Sequence, residues 1–203
     1  MKLFYSPTSP YVRKVMVLLH ETGQLGDVEL LDSVTSPIDT NPALKAKNPL
    51  GKVPALERVD GPTLFDSRVI CRYFDARGDH GLYPNGEAQF ATLTLEAMAD
   101  GILDAALLMT YEVRLRPEDK RWDQWGDMQW QKIERACAAL NGMWMSHLSG
   151  PLDMGQIAVG CALGYVDFRH DARGWRAGHA ALSDWYATFS SRDSMVKTRP
   201  PES

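Results

Sequence analysis

Two hydrophobic patterns divide the chain. Up to about Asp79, short apolar runs alternate with stretches at helical spacing, and beyond Gly86 only helical spacing remains. Met1–Tyr5 reads as a short buried strand. Val12, Val15, Met16 and Leu19 then mark one face of a helix ending near Gly23, and Val28–Leu31 reads as a second strand. A loop rich in Ser, Pro and Asn follows, holding at most a short helix around Ala43–Lys47. Ala55–Val59 and Thr63–Phe65 flank Asp60-Gly61, a turn dipeptide that predicts a hairpin. From Ser67 to about Ala76 the pattern is helical, with Val69, Ile70, Tyr73 and Phe74 on one face and Gly78 placed as the left-handed residue that closes it. The order β-α-β-α-β-β-α describes a small α/β layer structure.

Gly81, Pro84 and Asn85 punctuate the next segment as a linker. Glu87 to about Leu115 is one long helical pattern stopped by Pro117, and a second runs from about Glu118 to Leu148, where Gly150-Pro151 breaks it. Asp153 is placed to cap a helix reaching about Phe168, with Gln156 completing a capping box. Ala180–Ser190 predicts a last helix, and Lys197–Ser203 a polar tail. The expected domains are 1–79, α/β, and 87–203, all-α, joined by a linker at 80–86.

Composition removes several classes of function. The 203 residues include 44% apolar and 24% charged ones, ordinary for a globular protein, and a net charge of -4 argues against a general nucleic-acid partner. No apolar run has the length of a membrane span, and no basic segment followed by an apolar one opens the sequence. A cytoplasmic setting is therefore expected. Cys71, Cys137 and Cys161 are far apart, sit in apolar helical stretches and form no CxxC, so they read as small buried hydrophobes. The five histidines show no ligand spacing either, and no metal site is expected.

Chemistry concentrates at three places in the first 70 residues. Ser6-Pro7-Thr8-Ser9-Pro10 joins the first strand to the first helix, with Ser9 at the N-cap and Pro10 at the first helical position. A hydroxyl there lies beside unpaired N–H groups at the positive end of a helix, which suits an anion or a thiol that must become a thiolate. Asn48-Pro49-Leu50-Gly51-Lys52-Val53-Pro54 leads into a strand, where Pro54 either leaves its N side unpaired or marks a cis Val53–Pro54 bond; a cis bond there would turn the main chain of Val53 outward, where it could pair with an extended peptide. Asp66-Ser67 opens the next helix, where Ser67 with nearby N–H groups can hold a carboxylate and Asp66 an ammonium. Lys52 offers a cation to a second carboxylate. Taken singly, each serine or aspartate reads as a cap. Taken together they describe a pocket for a small extended peptide with a thiol, a free α-amino acid end and a second carboxylate, which is glutathione.

With these motifs at these spacings, the chain resembles the glutathione S-transferase superfamily over nearly its whole length. The segment Gly160-Cys161-Ala162-Leu163-Gly164-Tyr165-Val166-Asp167-Phe168-Arg169 and the ending Thr198-Arg199-Pro200-Pro201 are similar to the bacterial YibF-like branch. The resemblance implies a thioredoxin-like N-terminal domain, an all-helical C-terminal domain and a homodimer. It gives Ser9 the role of hydrogen-bonding the glutathione sulfur, Val53 (before the family's cis-proline, Pro54) that of pairing with the cysteinyl unit, and Asp66 with Ser67 that of holding the γ-glutamyl end. Lys52 is assigned to the glycyl carboxylate. The implied reaction is conjugation of glutathione to a small electrophile, a detoxification chemistry, with Ser9 as donor to the thiolate and not as covalent nucleophile.

The second substrate is expected against the helical domain, with Tyr111, Arg114, Phe168 and Trp175 as wall candidates. Arg13, Arg169, Arg173 and Arg176 are candidates for favouring an anionic one, against their reading as a solvated face. Serines in place of a thiol at the first turn disfavour disulfide reduction through an enzyme cysteine. The alternatives are a non-catalytic module that keeps the fold for glutathione binding or protein interaction, and a glutathione-dependent peroxidase or isomerase.

Overall fold

The computed structural model describes residues 1–33 and 35–201, and the chain forms two compact units. The first contains Met1–Asn85 together with the segment from Asp193 onward, and the second is Gly86–Arg192.

In the first unit, β1 (Lys2–Tyr5) is the centre of a three-stranded sheet of order β2-β1-β3. It pairs in parallel with β2 (Glu29–Asp32), Leu3 opposite Leu30, and antiparallel with β3 (Ala55–Glu57), Leu3 opposite Leu56. Its connections carry α1 (Pro10–Glu21), α2 (Pro42–Lys47) and α3 (Ser67–Gly78). Leu3, Val15, Leu18, Leu19, Leu56, Ile70 and Phe74 are fully buried, so the 3.6-residue stripes of α1 and α3 and the inward face of the sheet share one core.

The expected strand Thr63–Phe65 contracts to one antiparallel bridge, in which Leu56 and Leu64 exchange both N–H···O bonds at 2.8 and 2.9 Å. Pro62 has no N–H for a ladder, and its carbonyl is taken by the Arg58 guanidinium at 3.1 and 3.2 Å. Gly61, at φ +112°, makes the turn in a region that side-chain-bearing residues avoid. The end of α3 also differs from expectation. Gly78 is the last helical residue and Asp79 takes the left-handed conformation, φ 52°, with its N–H on the Asp75 carbonyl. Aspartate tolerates that region better than most residues.

A helix absent from the sequence reading closes this unit. α9 (Asp193–Lys197) lies on α1, and Arg13, only 7% exposed, donates from Nη2 to the Met195 carbonyl at 3.0 Å and from Nε to Thr198 Oγ1 at 3.4 Å. This tertiary contact groups the tail with the α/β unit, although it follows the helical region in sequence. Glu202 and Ser203, the end of the expected polar tail, lie outside the described residues.

The second unit is built from α4 (Ala88–Arg114), α5 (Asp123–Met143), α6 (Met145–Leu148), α7 (Met154–His170) and α8 (Ala180–Phe189). α7 is buried at every position from Met154 to Val166, and apart from Gln156 in its first turn and the Tyr165 hydroxyl that stretch is apolar, as suits a central helix. A side chain at Gly155 would meet Leu95 at 2.9 Å, so glycine there permits the close approach of α7 to α4. The single helix expected over Glu118–Leu148 is interrupted twice. Trp122 is extended, its N–H on Glu112 Oε1 at 2.9 Å, and Trp144 leaves helical geometry between α5 and α6. Among the described residues, no helix is long and apolar enough to cross a membrane.

Asp153 caps α7 as predicted, Oδ1 accepting from Gln156 N at 3.0 Å, while Oδ2 meets Thr92 Oγ1 and His147 Nε2, each at 2.6 Å. The reciprocal half of a capping box is not made. The Gln156 amide turns to the preceding loop instead, its Nε2 within 3.0–3.3 Å of the carbonyls of His147, Leu148, Gly150 and Pro151.

Candidate functional site

Strand register brings the three N-terminal motifs to one end of the sheet. Phe4 lies opposite Ala55, so the end of β1, which leads to Ser9, adjoins the start of β3, which follows Val53-Pro54. Leu64 lies antiparallel to Leu56, so the chain from Leu64 to Ser67 runs toward the same end. Phe4, Leu44 and Ala55 pack beneath, with Val53 and Phe65 against them, giving all three segments one apolar floor.

Ser9 is the N-cap of α1, extended at φ −82°, ψ 121°, and its Oγ accepts from Val12 N at 3.3 Å. The Ser6 carbonyl receives the Ser9 N–H at 3.1 Å and so fixes the turn. Ser9 is partly exposed, and among the described residues nothing accepts its hydroxyl proton. It can therefore cap and still donate.

The second segment is held by a residue to which the sequence reading gave no task. Asn48 is buried, its Nδ2 donates to the Lys52 carbonyl at 2.8 Å, and its Oδ1 accepts from Leu50 N at 3.0 Å. Gly51 sits at φ +63°, and a side chain there would meet Thr40 Cγ2 at 2.5 Å. The Val53–Pro54 bond is cis. Among the described residues Val53 makes no main-chain hydrogen bond, so its N–H and C=O are free for an extended ligand. Lys52 is exposed and has no ion pair among the described residues. An Asn two residues before a turn with glycine after it is an Asx-turn signal, and it could have identified Asn48.

At the third segment the Phe65–Asp66 bond is also cis. Asp66 caps α3 through Arg68 N at 3.0 Å and lies 3.6 Å from the Arg68 guanidinium, its side chain exposed. Ser67 is 2% exposed, yet its hydroxyl has no partner among the described residues. A hydroxyl without a protein partner beside first-turn N–H groups suits a carboxylate.

The helical unit redistributes the remaining candidates. Trp175, 2% exposed, donates from Nε1 to Asp167 Oδ1 at 2.7 Å and packs edge-on to Tyr186, so it is core and not a pocket wall. Arg176 grips Asp167 through two 2.7 Å bonds, which hold its guanidinium above its ordinary range, and Arg173 pairs with Asp127 at 2.9 Å. With Arg13 committed to α9, only Arg169 of the four arginines has no hydrogen bond or ion pair among the described residues. Tyr111, Phe168 and Arg169 are half-buried and Arg114 is exposed. All three cysteines are buried, and burial pushes the Cys137 thiol up to about 12. Among the described residues no group of three or more His, Cys, Asp or Glu could hold a metal ion.

Comparison with known proteins agrees with this geometry. Residues 8–77 match the family model for the glutathione S-transferase N-terminal domain, and residues 123–188 match that for the C-terminal domain. The chain is 32% identical to the GST-like protein YibF of Escherichia coli (strain K12), covering 100% of each. It is 50% identical to a glutathione transferase family member from Pseudomonas fluorescens Pf-5, solved with bound glutathione, with a TM-score of 0.96 and 98% of each chain covered. A second structure from that organism, with bound S-(propanoic acid)-glutathione, is 49% identical at a TM-score of 0.92, covering 99% of this chain and 100% of that one. With both domains matched and full-length identity at this level, the chain belongs to the glutathione S-transferase family.

Proposed function

We propose that the protein is a serine-type glutathione transferase. The observation that carries this reading is the register that gathers Ser9, Val53-Pro54 and Asp66-Ser67 at one sheet end, each with an unused hydrogen-bonding group or a cap. Val53 pairs its free main chain with the cysteinyl unit of glutathione. The Ser67 hydroxyl and first-turn N–H groups take the γ-glutamyl carboxylate, Asp66 takes its ammonium, and Lys52 takes the glycyl carboxylate. The relatives solved with glutathione and with an S-substituted glutathione support the same ligand.

Ser9 then faces the sulfur. A hydrogen bond to a charged group contributes about 1.5–3 kcal/mol. The N-terminus of α1 adds about 0.3–1 kcal/mol. At about 1.36 kcal/mol per unit, together they lower a thiol pKa by about one to three units. Starting from about 8.5, such a shift makes thiolate plentiful at neutral pH. The thiolate attacks an electrophilic carbon, a C–S bond forms, and the leaving group departs or the adduct takes a proton. Among the described residues no side chain accepts the Ser9 proton to make it a nucleophile, and its role is donation. The homodimer implied by the family belongs to the same reading.

The test is glutathione binding by calorimetry and conjugation of a generic aryl halide, for the wild type and Ser9→Ala. Binding with conjugation that falls at least tenfold in Ser9→Ala supports the reading. A wild type that neither binds nor conjugates overturns the glutathione assignment, and full activity in Ser9→Ala overturns the role of Ser9.

A further inference from the structure

The first unit carries an open cleft of about 340 Å³ that the thiolate chemistry does not use, with Asp27, Arg58, Asp60, Tyr73 and Arg77 in its walls. All of its lining belongs to that one unit. The cleft lies at the sheet end opposite to Ser9. Lys2 stands opposite Glu29 and Glu57, so Asp27, just before β2, and Arg58, just after β3, adjoin the start of β1. The glutathione motifs adjoin the other end, one strand length away, about 13 Å.

Two arginines and two aspartates line the cleft, and only half of them are paired. Arg77 donates from Nη2 to Asp27 Oδ2 at 2.6 Å and from Nη1 to Gln24 Oε1 at 3.0 Å. Arg58 instead gives Nε and Nη2 to the Pro62 carbonyl, and its guanidinium lies over the Tyr73 ring, 5.2 Å from the centroid. A side chain at Gly61 would meet Arg58 Nη2 at 2.8 Å, so glycine lets the guanidinium fold back on the turn. One edge of the guanidinium is thus fixed, and the other, with Nη1, has no partner among the described residues. Asp60 is exposed and has no hydrogen bond or ion pair among them either. The two residues stand two apart in sequence, so their Cα atoms lie at most about 7 Å from each other.

A guanidinium held by one edge presents the other as a ready fork for a carboxylate. A simple anion there would also meet the charge of Asp60, whereas a ligand with an ammonium beside its carboxylate makes Asp60 a partner. An α-amino acid carries both groups on one carbon, a spacing that suits two side chains so close in sequence. Exposed Val59 and the Met1 side chain, whose Sδ receives the Tyr73 hydroxyl at 3.7 Å, add apolar wall. We propose that this cleft binds the zwitterion of a free α-amino acid with an aliphatic side chain, Arg58 holding the carboxylate and Asp60 the ammonium. The site shares no residue with the glutathione motifs and stands independently of the transferase reading.

The test is calorimetry on the full chain with L-leucine and with two derivatives that each lack one charge, N-acetyl-L-leucine and L-leucinamide. The wild type binds leucine saturably and binds each derivative about tenfold less tightly. Asp60→Asn loses the discrimination against N-acetyl-L-leucine and keeps that against L-leucinamide, and Arg58→Gln does the reverse. Arg135→Gln, at an exposed position on α5, changes neither. Arg58 also anchors its turn, so circular dichroism checks that Arg58→Gln is folded; if it is not, Asp60→Asn, at an exposed side chain, decides alone. Absence of saturable leucine binding, derivatives that bind the wild type as tightly as leucine, or discrimination that survives the substitutions overturns the proposal.

Discussion

Ser9 Oγ accepts the Val12 N–H at 3.3 Å, and among the described residues the Ser9 proton goes to no other group. The two halves of the hydroxyl are thus separable, the lone pair serving α1 and the proton serving a ligand. Substitutions can divide them. Ser9→Asp keeps a cap acceptor but brings a negative charge to the sulfur, so it unfolds within about 0.5 kcal/mol of the wild type and loses conjugation. Ser9→Ala loses both, at about 0.5–2 kcal/mol of stability. Ser9→Thr retains both. Urea unfolding beside aryl halide kinetics reads the two effects separately.

Gln156 supplies a test in which two readings of one motif predict opposite signs. In a capping box glutamate replaces glutamine without loss. Here the amide donates toward the carbonyls of the 147–151 turn, so Gln156→Glu sets a carboxylate against them. Loss of about 2–4 kcal/mol in urea unfolding is expected, because a buried charge loses its donors. A neutral outcome restores the capping-box reading.

His170 makes stability depend on pH. Burial is the main cause holding its pKa below 6.5, opposed by its hydrogen bond to Ala106 and aided by Arg173 and Arg169. The unfolded state therefore takes up the proton first as pH falls. Stability is full above the unfolded value and declines as pH drops from about 6.5 through the folded value. Unfolding midpoints at pH 7.5 and at successive steps down to pH 5 should fall for the wild type, and the part of the fall in this window should disappear in His170→Gln.

The tail contributes to the α/β unit through Arg13. Arg13→Ala leaves the Met195 carbonyl without its guanidinium partner, and about 1–3 kcal/mol of stability should go with it. Truncation before Asp193 should lower the thermal midpoint by at least as much, measured by circular dichroism.

What the sequence disclosed was mainly local. The Ser9, Asp66 and Asp153 caps follow from one residue and the turn after it, and all three form. The strand at Thr63–Phe65 failed because Pro62, with no N–H and a carbonyl given to Arg58, confines pairing to Leu64. α9 was missed because what holds it is distant: Arg13, about 180 residues earlier, reaches the Met195 carbonyl. The same limit hid the sorting of the arginines. No spacing rule distinguishes Arg176, locked on Asp167, from Arg169, which has no acid partner among the described residues. Asn48 stood in plain view within its motif, where the Asx-turn signal points to it, and the loop's closure on Leu50 and Lys52 shows its work.

The state of the glutathione thiol tests the role of Ser9 most directly. Thiolate absorbance of the bound ligand, followed against pH, should give a midpoint about one to three units below the free value of about 8.5. In Ser9→Ala the midpoint should return most of the way, while glutathione still binds. A bound thiol that titrates at the free value in the wild type, or a lowered midpoint that survives Ser9→Ala intact, contradicts thiolate stabilisation by Ser9.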